Sequence, residues 1–232
     1  MRLTSAAISA LAISVLPAQA ATRAIPVPNF DKLRVAGPYK VRVQTGGAAS
    51  VKATGPADRL DKLVVETRGD MLVLSTDKSW SWRRAATGKD DAVRIDISVP
   101  SLEAAELTGS GDIDIDKVRG TAFTALLTGS GNLDIARLDA VRLKAMVTGS
   151  GNISLVGKTD RADVAVTGSG NLVASDLAVG LLTADVMGSG NIDIGATRTA
   201  KAKVMGSGDI SIAGRPACTT SKTGSGTIRC GG

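Results

Sequence analysis

The chain contains no histidine, and this absence removes Ser-His-Asp and Cys-His catalysis and every histidine-ligated metal site from consideration. Aromatics are nearly as scarce, with two Trp, two Phe and one Tyr in 232 residues. At 43% hydrophobic residues the chain is still too apolar to be disordered, so its core must be built from thin, repetitive layers of Val, Ile, Leu and Ala. No later segment reaches the roughly 18 uninterrupted apolar residues of a membrane-spanning helix. Basic residues exceed acidic ones by only six, and the two signs are interspersed. That surplus suits solubility and gives no nucleic-acid footprint. Carboxylate, lysine or metal-carboxylate chemistry, or none, is what remains, and no cofactor or metal is expected.

The amino terminus has the form of an export signal. Arg2 supplies a positive start, residues 3–16 are apolar with small residues interspersed, and Ala18-Gln19-Ala20 is a small-x-small cleavage pattern. Residues 1–20 are therefore expected to be removed, leaving a mature chain that starts at Ala21 in the periplasm, at the cell surface or outside the cell. No Cys follows the apolar run to take a lipid.

The dominant feature is a repeat. Gly-Ser-Gly occurs seven times, beginning at Gly109, Gly129, Gly149, Gly168, Gly188, Gly206 and Gly224, at spacings of 20, 20, 19, 20, 18 and 18 residues. A near-constant step without helix punctuation is a solenoid signature, because each unit is too small to bury its own apolar face and must stack on the next. Within each unit the alternation has period two, that of a strand. Leu107, Leu127, Val147, Val166, Val186 and Val204 stand two residues before the motif. Ile113, Leu133, Ile153, Leu172, Ile192, Ile210 and Ile228 stand four residues after its first Gly. Ile115, Ile135, Leu155, Ala174, Ile194, Ile212 and Cys230 stand six after it. These columns are the expected core. The opposite parity is polar: Thr108, Thr128, Thr148 and Thr167 before the motif, then Asp112, Asn132, Asn152, Asn171, Asn191 and Asp209 after it.

Both motif glycines fall on the inward parity, which places the motif at a tight corner between two short strands. Stacked corners at about 4.8 Å per rung give a parallel sheet on each side and about six rungs over roughly 30 Å. The expected fold is an all-β parallel β-helix, or β-solenoid, with rungs of about 20 residues, right-handed because parallel crossovers almost always are. Residues 21–232 form one such domain, with irregular rungs over 21–105 and regular ones over 106–232. In the irregular part, Leu33, Val35, Gly37, Val41 and Val43 occupy the same offsets and read as a degenerate first rung. Residues 63–67 and 71–75 read as strands joined by a turn at Arg68-Gly69-Asp70, residues 93–99 as a further strand, and residues 77–91 as a loop. Cys218 and Cys230 both fall on the inward parity of the last rung. In an exported chain they are expected to form a disulfide closing that end.

This run of Gly-Ser-Gly-(Asn/Asp)-(Ile/Leu) units, after a less regular strand-rich third and a signal segment, resembles the GIN-domain family of exported bacterial proteins, labelled autotransporter-adhesin heads. The resemblance covers roughly residues 29–230. It implies a right-handed β-helix-like architecture and a place outside the cytoplasm, and it brings no established activity or site with it. The sequence ends at Cys230-Gly231-Gly232 with no barrel-forming segment, so self-export in the autotransporter manner is not expected.

Four groups of residues invite a functional reading. The polar ladder Asp112, Asn132, Asn152, Asn171, Asn191 and Asp209 could offer oxygen ligands to calcium, or it could be amides satisfying one another along the rod. Only two of its members are carboxylates, and the spacing differs from the nine-residue calcium roll, which favours the structural reading. Asp112, Asp114 and Asp116, with Lys117 and Arg119 nearby, resemble the carboxylate groups of polysaccharide-cleaving β-helices, yet no cleft is legible that would separate their pKa values. Trp80, Trp82, Arg83 and Arg84 lie in the expected loop and are the best candidates for contact with sugar rings or anionic groups. The competing reading has an indole folded back over the solenoid. Arg68-Gly69-Asp70 spells an integrin tripeptide but is ordinary turn chemistry.

The expected function is a non-catalytic, adhesin-like solenoid that presents a polar repeat surface to envelope or extracellular glycans or proteins. The alternatives are a periplasmic structural or envelope-stress component without a ligand and, further off, a polysaccharide-active enzyme. Rod ends and parallel edges also invite pairing, which makes a homodimer one option.

Overall fold

The computed structural model describes residues 21–77 and 92–231. The expected signal segment and the residues Trp80, Trp82, Arg83 and Arg84 lie outside the described residues. The elements in chain order are β1 (Ala21–Ile25), β2 (Lys32–Ala36), β3 (Lys40–Thr45), β4 (Ser50–Gly55), a one-turn helix α1 (Ala57–Leu60), β5 (Leu63–Arg68), β6 (Met71–Thr76), β7 (Arg94–Val99), β8 (Ala104–Gly109) and β9 (Asp112–Ile115). The repeat region continues with β10 (Val118–Gly129), β11 (Asn132–Gly149), β12 (Asn152–Gly168), β13 (Asn171–Gly188), β14 (Asn191–Gly206), β15 (Ile210–Gly214), β16 (Ala217–Thr223) and β17 (Ile228–Cys230). From β8 onward every neighbouring pair is parallel, so successive Gly-Ser-Gly units stack with motif on motif: Gly109 faces Gly129, then Gly149, Gly168, Gly188 and Gly206. This is a β-solenoid of about six turns with rungs of about 20 residues.

The columns read from the sequence are the core. From Leu107 to Val204, from Ile113 to Ile210 and from Ile115 to Ile212, every member is at most 2% exposed. Only at the last rung do Ile228 and Cys230 become partly exposed. There Cys218 and Cys230 are joined by a disulfide with a Cα–Cα distance of 6.5 Å. Thr220 and Lys222 take the inward places next to Ala202 and Val204 on β16, which is exposed along its whole length. An inward-pointing charge on a terminal strand blunts an edge that would otherwise accept another strand.

Two features differ from the sequence reading. Each regular rung has three sides where two were expected. Along β11 the buried parity changes twice, with consecutive exposed residues at 136–137 and again at 141–142, so the chain bends at both places. Residues 138–140 between the bends form a short third side, with Leu138 and Ala140 inward and Asp139 outward. These bends were illegible because exposed valines occupy them, Val141 and Val156 being 46% and 43% exposed.

The second difference is the stacking order. Gly37 does mark a rung corner, with its N–H bonded to the Thr108 carbonyl at 3.1 Å, but this rung is not terminal. β2 lies between β6 and β8, and β3 between β7 and β9. After β3 the chain leaves the stack to form β4, α1 and β5, and returns as β6 and β7 outside its own first rung. β4 and β5 pair antiparallel to β7 and β6, and β1 pairs antiparallel to β4. A parallel stack thus ends in antiparallel ribbons, with Leu60 of α1 buried beneath them. Solenoids need such atypical ends to cover their last apolar layer. Among the described residues no helix is long and apolar enough to cross a membrane.

Candidate functional site

The Gly-Ser-Gly corner is rigid for reasons visible in its backbone. The first Gly of each motif has φ between +115° and +129°, a region that side chains rarely adopt. From Gly109 to Gly188 its carbonyl accepts two N–H groups from the next rung, as Gly109 does from Ser130 at 2.9 Å and Gly131 at 3.2 Å. A Cβ on the second Gly would overlap the backbone of the preceding rung; at Gly131 it would meet the Gly111 carbonyl oxygen.

Beside this corner runs the polar ladder. Asn132 Nδ2 donates to Asp112 Oδ1 at 2.9 Å, Asn152 to Asn132 at 3.1 Å, Asn171 to Asn152 at 2.9 Å and Asn191 to Asn171 at 3.0 Å. Asp209 then donates its backbone N–H to Asn191 Oδ1 at 3.1 Å, and its own Oδ1 accepts the Thr227 N–H at 2.7 Å. The residue types follow from the direction of donation. An interior rung must both donate and accept, which an amide does and a carboxylate does not. The first rung need only accept, and the last accepts while donating through its backbone, so Asp suffices at both ends. The amide oxygens of the interior Asn residues are thereby engaged with neighbouring rungs.

The three aspartates after the first motif are not brought together in one cleft. Asp112 starts the ladder. Asp116 Oδ1 accepts the Thr45 N–H at 3.0 Å, the Thr45 hydroxyl at 3.2 Å and the Lys117 N–H at 2.6 Å, holding the turn after β9 against β3. Asp114 pairs in register with Arg42 on one side and Asp134 on the other. Its pKa is raised, chiefly by loss of surrounding water between neighbouring rungs and then by repulsion from Asp134, with Arg42 opposing. Its side chain is exposed, so this effect is small.

The tripeptide Arg68-Gly69-Asp70 is the tight turn between β5 and β6, with Gly69 at φ +63°. Arg68 pairs with Glu66 at 2.7 Å and Asp70 with Lys32 at 2.5 Å, so both of its charges have intramolecular partners. The Lys32 hydrogen bond and charge lower the Asp70 pKa, and the same pair raises that of Lys32.

Sequence reasoning missed a concave surface on the short third side. A cleft of about 390 Å³ runs along the second bend of the rungs, lined by Asp139, Lys158, Thr159, Asp160, Gly180 and Arg198 among others. Thr159 is the buried polar residue among the described residues, 5% exposed, with its hydroxyl 3.1 Å from the Arg161 carbonyl and 3.3 Å from that of Val141. Lys158 and Asp139 form an ion pair across two rungs at 3.5 Å. Gly157, just before them, stands in register between Leu138 and Leu177 with φ +133°. The one available signal was spacing: the rung containing Gly157 has 19 residues and the rung after Gly188 has 18. The register shifts fall around this short third side, between Ile135 and Leu138, between Ser154 and Gly157, and between Ala174 and Leu181. A second departure is the threonine column before the motif, which becomes Met187 and Met205, 47% and 40% exposed.

The family model described as "Putative auto-transporter adhesin, head GIN domain" matches residues 29–216. No curated protein sequence matches the chain. Among solved structures, a "putative adhesin" from Bacteroides fragilis is 27% identical with a TM-score of 0.84, over 91% of this chain and 96% of that one. A "putative lipid binding protein" from Parabacteroides distasonis is 25% identical with a TM-score of 0.71, over 92% and 97%. A "putative adhesin" from Parabacteroides merdae, at 17% identity and a TM-score of 0.70 over 92% and 96%, shares the fold.

Proposed function

From the premise that this chain belongs to the GIN-domain family, described as the head of an auto-transporter adhesin, we propose that it is an exported, non-catalytic, adhesin-like rod. It acts in the periplasm or at the cell surface, and its outward side chains contact envelope or extracellular glycans or proteins. The observation that carries this reading is the division of labour in each rung. Core and ladder groups satisfy one another, while the remaining outward side chains stand in register over several rungs and stay exposed. A surface repeated at about 4.8 Å suits a repetitive partner such as a glycan chain. The three aspartates that would serve an enzyme are engaged in the ladder, a turn and a charge column, which supports the non-catalytic reading.

The saturated ladder also favours a second reading, a structural envelope component with no ligand. The test is a glycan array and an envelope-extract overlay with residues 21–232, disulfide formed, with calcium and with chelator, beside a Trp80→Ala/Trp82→Ala variant. Selective retention by either surface supports the adhesin-like role, and loss in the variant assigns contact to Trp80 and Trp82. Silence from folded protein on both surfaces favours the structural component.

A further inference from the structure

We infer that the cleft along the second bend is a binding site for a carboxylate-bearing polysaccharide, a chain of uronic-acid type laid along the rod. The inference rests on the adhesin-like reading and names its ligand class and site.

In repeat proteins the constant side of the unit holds the stack, and departures from the repeat gather on one face, often the binding face. Here the Gly-Ser-Gly corner keeps its register through every rung, while the register shifts fall on the short third side, mostly at its first bend (135–138, 154–157 and 174–178) and once, between Val179 and Leu181, at the second. The cleft lies there, and its lining comes from successive rungs through Gly120, Asp139, Thr159, Gly180 and Arg198. Four steps of about 4.8 Å make it longer than a single sugar ring is wide.

Gly180 supplies the second argument. It has no positive φ, so its backbone does not require glycine. A Cβ there would overlap both the Arg198 guanidinium and the Asp160 backbone carbonyl. The missing side chain lets Arg198 lie across the neighbouring rung and places its guanidinium in the cleft.

Charge supplies the third. Lys158 and Asp139 neutralise each other. Arg142 and Arg161 then stand in register on adjacent strands, both exposed, immediately after the cleft residues Val141 and Asp160. Like charges facing each other across a sheet are destabilising, and among the described residues Arg142, Arg161 and Arg198 have no ion pair. Of these three cations Arg198 lines the cleft and Arg142 and Arg161 flank it, and the one lining carboxylate outside an ion pair is Asp160. The planar guanidinium matches a carboxylate through two parallel N–H bonds, while Asp160 can accept from sugar hydroxyls. Carboxylates spaced along a glycan chain would relieve the repulsion between the stacked arginines.

The test uses residues 21–232 with the disulfide formed and immobilised oligogalacturonate and alginate oligosaccharides, with neutral dextran and dextran sulfate as controls. Uronate binding is expected to exceed dextran binding at least tenfold, to weaken with added salt, and to fall at least tenfold in Arg142→Gln/Arg161→Gln and in Arg198→Gln. These exposed substitutions should leave the melting temperature unchanged. Equal response to dextran sulfate with no loss in the arginine variants would mean charge alone and overturns the inference, as would no uronate binding by folded protein. Array or envelope binding that survives the arginine variants overturns the cleft while leaving the adhesin-like role standing.

Discussion

The two long edges of this rod are built by opposite rules. At the Gly-Ser-Gly corner, seven copies of one motif stack without a register error, and from Gly111 onward a Cβ on any motif glycine would overlap the backbone of the neighbouring rung. Along the short third side, whose second bend forms the cleft, the rungs differ in length, the glycines differ in purpose and the arginines in and beside the cleft have no ion pair among the described residues. A solenoid tolerates variation only where its neighbours do not demand identity. The constant edge therefore reads as structure, and the variable edge as the place where a particular chain acquires particular contacts.

The sharpest way to break this comparison is to put the same methyl group on each edge. Gly151→Ala would drive a Cβ into the Gly131 carbonyl and the Leu127 side chain, so a loss of about 3 kcal/mol in urea-induced unfolding is expected. Gly120→Ala meets nothing within 4 Å and should change stability by less than about 0.5 kcal/mol. Similar losses in both variants would remove the distinction between the edges.

Opening the disulfide tests whether the terminal rung depends on it. Closure of this short loop contributes about 3 kcal/mol on the chain-entropy model. Cys218→Ser/Cys230→Ser should therefore let β16 and β17 exchange amide hydrogens readily, while β11 to β13 keep their protection. Uniform loss of protection along the rod would show that the end is not a separate unit.

Within the ladder, Asn152→Asp replaces the donor facing Asn132 Oδ1 with a second acceptor. A cost of about 1–2 kcal/mol at neutral pH is expected, diminishing in acid as the new carboxyl regains a proton to donate. Asn152→Asp with unchanged stability would mean that the amide ladder is incidental.

The smallest effect is electrostatic. Because the Asp114 pKa is raised above its ordinary 3.8, the folded state holds a proton there more readily than the unfolded chain. Stability contributed by this group thus grows as pH falls through the raised value and is absent at neutral pH. Asp114→Asn should slightly stabilise the protein at pH 7 and flatten that part of the pH profile. Asp70, lowered by Lys32, has the opposite sign: its contribution is present above the ordinary carboxylate range and lost in acid.

Legibility in the sequence follows the same division. The apolar columns, the corner glycines, the inward cysteines and the turn at residues 68–70 were readable because period-two alternation and repeated motifs are local signals. The third side was hidden by Val141 and Val156, whose apolar side chains stand outside at the bends. The insertion of β2 and β3 between later strands was hidden because pairing order is a long-range property that no local pattern encodes. The direction of the ladder, with Asp at its ends and Asn between, became intelligible only once donors and acceptors were placed. Of the cleft, only the shortened spacings gave a sign, since Arg142, Arg161 and Arg198 come from three different rungs.

The most direct measurement is hydrogen–deuterium exchange of residues 21–232 with and without oligogalacturonate. If the variable edge makes the contacts, added protection will appear in peptides covering 139–142, 158–161 and 197–199, with none at the Gly-Ser-Gly corners. Protection confined to those corners, or to the Asn ladder beside them, would contradict the assignment of structure to one edge and recognition to the other.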